Sequence, residues 1–181
     1  MMRVNRTALL SLAAALPAFL APAMGHAADG DEQFFRSVQG VWTGPGEIVA
    51  GKYKGTKFTC RLNGTTPSGK VGMTLDGSCR VGVFSQRMSA TVERKGRGYR
   101  GTFLDGAAGE GLDIVSGAVA GKKVTFSISR NQLNGAMSAR IPNKDSMNVS
   151  VSVRVDSRMV RVIAMDLKRT SEAPVATVAS E

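Results

Sequence analysis

Along much of this chain every second residue is apolar. Phe58, Cys60 and Leu62 alternate with Lys57, Thr59 and Arg61. Val71, Met73, Leu75, Gly77 and Cys79 alternate with Lys70, Gly72, Thr74 and Asp76. The same beat returns in Met88, Ala90 and Val92, in Val124, Phe126 and Ile128, and in Met147, Val149, Val151, Val153 and Val155. Successive side chains of a strand point to opposite faces. Period two therefore means strands with one buried and one wetted face.

The punctuation agrees. Thr66–Lys70, Lys95–Gly98, Ala120–Lys122, Pro142–Asp145 and Asp156–Ser157 read as hairpin turns. About ten strands follow, near 41–49, 55–63, 70–79, 81–93, 98–104, 112–119, 123–129, 133–141, 146–155 and 158–168. Connections this short leave no room for crossover helices, so the strands form an antiparallel meander. Such a meander either stacks as a sandwich or closes on itself. Closure removes the unpaired edges, so the expected fold is all-β, a small antiparallel up-and-down β-barrel. Before it, Asp29 to Val38 reads as a short N-terminal helix capped by Asp29 or Asp31. After it, Thr170 to Glu181 has no period and reads as a loose tail.

The beginning of the chain bears on compartment. Arg3 and Arg6 precede the apolar run Ala8–Leu16, Pro17 and Pro22 break it, and Gly25-His26-Ala27 supplies small residues at a cleavage site. This is the pattern of a secretory signal peptide, with cleavage expected before Ala28. The expected organisation is a signal peptide at 1–27, an arm or short helix at 28–39, a barrel at 40–169 and a tail at 170–181. The expected location is periplasmic. The one histidine, His26, leaves with the signal, which excludes histidine bases, histidine metal ligands and a histidine-held haem. Loss of Arg3 and Arg6 takes the net charge from +10 to +8. A basic exported protein is drawn to anionic surfaces such as lipid headgroups or lipopolysaccharide. The two cysteines, Cys60 and Cys79, read as a disulfide in an oxidising compartment. A turn centred on Ser68-Gly69 sets Cys60 opposite Gly77, with Cys79 one same-face step away and a bulge near Gly77 or Gly82 closing the gap.

The single tryptophan sits in the stretch Gln39-Gly40-Val41-Trp42-Thr43-Gly44-Pro45-Gly46-Glu47. Trp42, Gly44, Gly46 and Ile48 share one strand face. With that face inward, Trp42 plugs one end of the barrel, its N–H reaching a partner, and the glycines leave space beyond it. Pro45 points outward, which suits an edge or a bulge.

A short helix followed by Gly-x-Trp on the first strand resembles the lipocalins and the wider calycin superfamily. The resemblance implies a basic residue packed across Trp42, with Lys168 or Arg169 placed to supply it. The longer stretch Gly40-Val41-Trp42-Thr43-Gly44-Pro45-Gly46 is similar to the Gly-x-Trp-x-Gly-x-Gly opening of nitrobindin-like barrels, which are ten-stranded and hold haem through a histidine that the mature chain lacks. A further similarity is to the small secreted metalloprotease inhibitors of bacteria, whose inhibitory arm corresponds loosely to Ala28–Gln33.

Parity places Gly44, Gly46, Ala90, Gly101, Ser116, Ala118, Gly135 and Ala139 inward, with Phe58, Met73, Leu75, Met88, Phe103, Phe126, Ile128 and Met137 completing the lining. Two readings follow: a cavity for one lipid-like ligand, with Trp42, Gly44, Phe58, Met73, Met88, Phe103, Phe126 and Met137 in contact with it, or a barrel filled by its own side chains. Arg94, Lys95, Arg97 and Arg100 form a basic hairpin tip. With Lys52, Lys54, Lys57, Tyr53 and Tyr99 it suits an anionic membrane surface. The alternative is a solvated turn. Nucleic-acid binding is not expected, since no aromatic or zinc-finger pattern accompanies the charge. The loop Asp105–Asp113, rich in glycine and carrying three carboxylates, is the best lid for a barrel mouth. It lacks the spacing of a calcium loop, and no nucleophile arrangement such as Ser-x-x-Lys occurs. No catalysis, metal or cofactor is expected. The leading expectation is non-enzymatic binding of a small apolar or amphiphilic envelope molecule. The alternative is a protein-interaction module, either a protease inhibitor or an envelope-assembly factor.

Overall fold

The structure, a computed structural model, describes residues 25–104 and 111–171. Most of the expected signal peptide, the lid segment 105–110 and the tail from 172 lie outside the described residues. One helix, α1 (Gly25–Arg36), precedes ten strands: β1 (Gly40–Ile48), β2 (Lys57–Thr65), β3 (Gly72–Val81), β4 (Phe84–Lys95), β5 (Gly98–Leu104), β6 (Leu112–Ala120), β7 (Lys123–Arg130), β8 (Leu133–Asn143), β9 (Ser146–Val155) and β10 (Arg158–Ser171). Each strand pairs with its neighbours in sequence, and β1 pairs with β10 to close the barrel. All pairings are antiparallel, so the fold is a closed up-and-down barrel.

The turns explain why the meander is so tight. Gly82, Gly96, Gly121, Asn131 and Asp156 open hairpins of two loop residues, and each has a positive φ between 51° and 61°. A positive φ at the first loop position alone is the type II′ pattern, whose twist matches that of the flanking strands.

Alternation packs the inner face into one core that includes Trp42, Leu62, Val92, Phe103, Phe126, Met147 and Leu167. Helix α1 covers one end of the barrel, burying Phe34 and Phe35, and Val38 follows them into the core. At this capped end lie the start of β1, the end of β2 and the turns β2–β3, β4–β5, β6–β7 and β8–β9. The opposite end carries the β1–β2 loop and the β3–β4, β5–β6, β7–β8 and β9–β10 turns.

Several expectations are corrected here. The helix begins at Gly25 and stops at Arg36, so Asp29 and Asp31 lie within it and cap nothing. Strand β10 runs on to Ser171, where it pairs with Val41, two residues into the expected tail. Cys60 stands directly opposite Cys79, and Leu62, not Cys60, faces Gly77. The register is two residues from the expected one because the turn lies one position later in the chain. The Cys60–Cys79 disulfide therefore spans β2 and β3 without a bulge. Strand β1 is no edge, since β10 and β2 flank it, although Pro45 does point outward and is exposed. In β6 a bulge at Val115 reverses the parity: Ser116 and Ala118 are exposed, and Gly117 lies against the Phe126 ring instead.

Candidate ligand site and the two ends of the barrel

At the capped end Trp42 is fully buried, and its indole N–H donates to the Val38 carbonyl at 2.7 Å. The Arg169 guanidinium lies 4.2 Å from the centre of the Trp42 ring, and the two residues face each other across the β1–β10 seam. Of the two basic residues placed to cover the tryptophan, Arg169 does so. Lys168 points outward and bonds Ser146 at 2.9 Å. Arg169 also donates to the carbonyls of Gln39, Ser37 (2.9 Å) and Lys144 (2.6 Å). One side chain thus ties the last strand to the segment leaving the helix, and its charge meets the carbonyl end of α1.

A second knot holds the helix body. Asp31 accepts hydrogen bonds from the Tyr99 hydroxyl and from Arg94, and Arg94 also donates to the Tyr99 oxygen at 3.1 Å. Burial, and then the Asp31 carboxylate, push the Tyr99 phenol up to about 12. The Arg94 guanidinium is held above its ordinary value, first by the bond to Tyr99. Further out, Lys95 and Lys70 flank Glu93, both 3.0 Å away, and hold its carboxyl below the usual range. Sequence reasoning missed this network. The one clue was an aspartate in a helix that also carries two phenylalanines.

The glycines after the tryptophan leave no space. A Cβ on Gly44 would run into the Asp166 carbonyl, and one on Gly46 would meet the Phe58 ring and Met165. Both are glycines because neighbours approach closely, not because a ligand needs room.

On β4, β8 and β9 inner-face burial falls toward the other end, whereas Phe103 on β5, Leu112 and Ile114 on β6 and Ile128 on β7 stay buried there. On β4 it passes from Val92 and Ala90, both buried, through half-buried Met88 to exposed Gln86 and to Phe84, which is 79% exposed. On β9, Met147, Val149 and Val151 are buried, Val153 is half-buried and Val155 is exposed. Strand β8 repeats the trend from Ile141 to exposed Leu133. The rim is thus apolar and open, with Val81, Val83, Phe84, Leu133 and Val155 exposed around it. Sequence reasoning missed this rim as well. The signal was Val81-Gly82-Val83-Phe84, an apolar hairpin tip where polar residues are the rule.

The expected contact residues divide between the two ends. Trp42 is sealed under the helix, and Phe126 packs edge-on against Tyr99 with ring centres 6.1 Å apart. Met73, Phe103 and Met137 are buried in the core. Phe58 and Met88 are only partly buried and flank the core. The expected basic surface is also divided. Arg94, Lys95, Arg97 and Arg100 belong to the capped end, whereas Lys52, Lys54, Lys57 and Tyr53 lie at the opposite end. Tyr99 is buried and Arg94 is engaged with Asp31, so neither takes part in a surface patch. A polar groove of about 490 Å³ opens at the capped end between α1 and the β2–β3 turn, lined among others by Glu32, Arg36, Thr66 and Lys70.

By architecture the chain is a closed, ten-stranded antiparallel barrel with a helix across one end. It is similar to the crystal structure of Rv2717c from M. tuberculosis, at 16% sequence identity and a TM-score of 0.55, over 76% of this chain and 96% of that one. No protein-family model matches the chain. No curated protein matches it in sequence.

Proposed function

We propose that this chain is an exported, calycin-like, non-enzymatic barrel that binds the apolar part of a small amphiphilic envelope molecule through the mouth opposite α1. The observation that carries the reading is the falling burial of inner-face residues toward that mouth, at Met88 and Phe84 on β4 and at Val153 and Val155 on β9. Apolar surface left in water costs about 25 cal/mol per Å², and an acyl or polyprenyl tail would remove it. The half-buried pair Phe58 and Met88 gives that tail an aromatic and a flexible wall. The other reading, a protein-interaction arm at 28–33, has less support, because Asp31 is engaged with Arg94 and Tyr99.

The test is titration with a fluorescent polyene fatty acid. Saturable binding should weaken at least about tenfold in Met88→Arg, since a charge facing an apolar lumen costs more than 1.4 kcal/mol. No binding by the parent protein, or equal binding by both, would discard the proposal.

A further inference from the structure

The charged residues of the open end are placed unevenly. Three of its tips are neighbours around the barrel, because β9 and β10, then β1 and β2, then β3 and β4 follow one another in the sheet. The β9–β10 tip carries exposed Val155, Arg154, Arg158 and Arg161. The β1–β2 loop carries exposed Tyr53, Lys52, Lys54 and Lys57. The β3–β4 tip carries exposed Val81, Val83, Phe84 and Arg80. None of these seven basic side chains makes an ion pair with another described residue. Two acids lie near the three tips, Asp156 between β9 and β10 and Glu47, which stands opposite Lys57 across β1 and β2. On the far side of the mouth, the start of β6 carries exposed Asp113 beside Leu112.

We propose that these three tips form a docking surface for an anionic phospholipid bilayer, on which the barrel stands tilted with its β5–β6 side raised. This goes beyond ligand binding and holds without it, since a barrel filled to its mouth would dock the same way. Phe84 and Val83, 79% and 89% exposed, are the most exposed apolar side chains of these tips. They are suited to enter the headgroup boundary, where apolar burial and basic charge act together. The basic ring around them fits the negative potential of anionic lipid, and lysine and arginine stems let the charges remain in water. Contact is peripheral, because the outward faces of the strands are polar, as Lys57, Thr59, Arg61 and Asn63 show on β2.

The experiment is flotation of the full mature chain with vesicles of phosphatidylcholine alone and with vesicles of equimolar phosphatidylcholine and phosphatidylglycerol. Binding should occur on the anionic vesicles and weaken as salt rises, because screening shortens from about 10 Å at 0.1 M to about 3 Å at 1 M. The triple variant Lys54→Ala, Arg80→Ala, Arg158→Ala should bind about a hundredfold more weakly, at roughly fivefold per charge. Val83→Ser with Phe84→Ser should lower binding several-fold while leaving its salt dependence. Arg97→Ala with Arg100→Ala, at the capped end, should bind as the parent does. The near-ultraviolet spectrum of Trp42 checks that every variant is folded. Equal binding to both vesicles, an equal loss in the Arg97 and Arg100 variant, or a salt-insensitive dimer through these tips with no vesicle binding would overturn the proposal. Fatty-acid titration of the charge variant keeps the two readings apart, since Lys54→Ala, Arg80→Ala, Arg158→Ala removes no residue of the ligand mouth and should retain the parent affinity.

Discussion

The two ends of this barrel are made from the same alternating strands and treat charge in opposite ways. At the capped end, Arg94 is paired with Asp31, Lys70 and Lys95 flank Glu93, and Arg169 is spent on Trp42 and three carbonyls. Apolar surface there is sealed by α1. At the other end Val83 and Phe84 face water, and the arginines and lysines beside them have no ionic partner among the described residues. The contrast teaches that net charge alone does not locate a surface: Arg94, Lys70, Lys95 and Arg169 at the capped end are tied into the fold, and Lys54, Arg80 and Arg158 at the open end make no ion pair with a described residue.

The largest effect should come from Trp42→Ala, because a fully buried indole, its bond to Val38 and its contact with Arg169 are lost together. Chemical denaturation should show a loss of about 3–5 kcal/mol. A loss under about 1 kcal/mol would mean that the capped end is not the anchor of the fold. Next, replacing both Cys60 and Cys79 by alanine frees a loop with a sequence separation of 19. That should cost about 3 kcal/mol, and it should come entirely from the bridge, as reduction of the parent protein would reproduce it.

Tyr99→Phe should cost about 1 kcal/mol by removing the hydroxyl between Asp31 and Arg94. This residue also sets a pH dependence. Its folded value is raised, so the fold favours the neutral phenol. The stabilisation is complete below the ordinary value of 10.0 and is lost as pH climbs toward about 12. Unfolding midpoints of a Tyr53→Phe protein should therefore fall across that window, and addition of Tyr99→Phe should flatten this part of the curve. A tyrosinate absorbance rise complete near pH 10 in the Tyr53→Phe protein would contradict the buried network. The smallest effect belongs to the open end, where Val83→Ser with Phe84→Ser should change stability by no more than about 0.5 kcal/mol. A larger loss would show that these side chains pack in the fold and are not held out for a partner.

How much was legible follows from which forces are local. The strands could be read because each keeps one wet face, so the alternation in Met147–Val155 carries its own structure. The Trp42–Arg169 pairing was legible only through the family resemblance, which implied a basic residue over Trp42 and left Lys168 and Arg169 as the choice; closure of β10 onto β1 brings Arg169 opposite Trp42. Register was harder: nothing in Thr66–Lys70 says whether Cys60 meets Gly77 or Cys79, since both registers keep the same face inward. The bulge at Val115 has no local signature, so Ser116 and Ala118 were assigned to the wrong face. The division of the basic residues between two ends is a property of the closed barrel. Arg94–Arg100 and Lys52–Lys57 look like one patch only until the strand order separates them.

The central claim is that the open mouth receives the apolar part of a small amphiphile. Native mass spectrometry of mature protein, isolated gently from a bacterial periplasm, tests it most directly. The account predicts a discrete lipid-sized mass that leaves on denaturation and that is lost in Met88→Arg. A clean mass for the parent protein, under conditions that keep a known lipid carrier loaded, would contradict it.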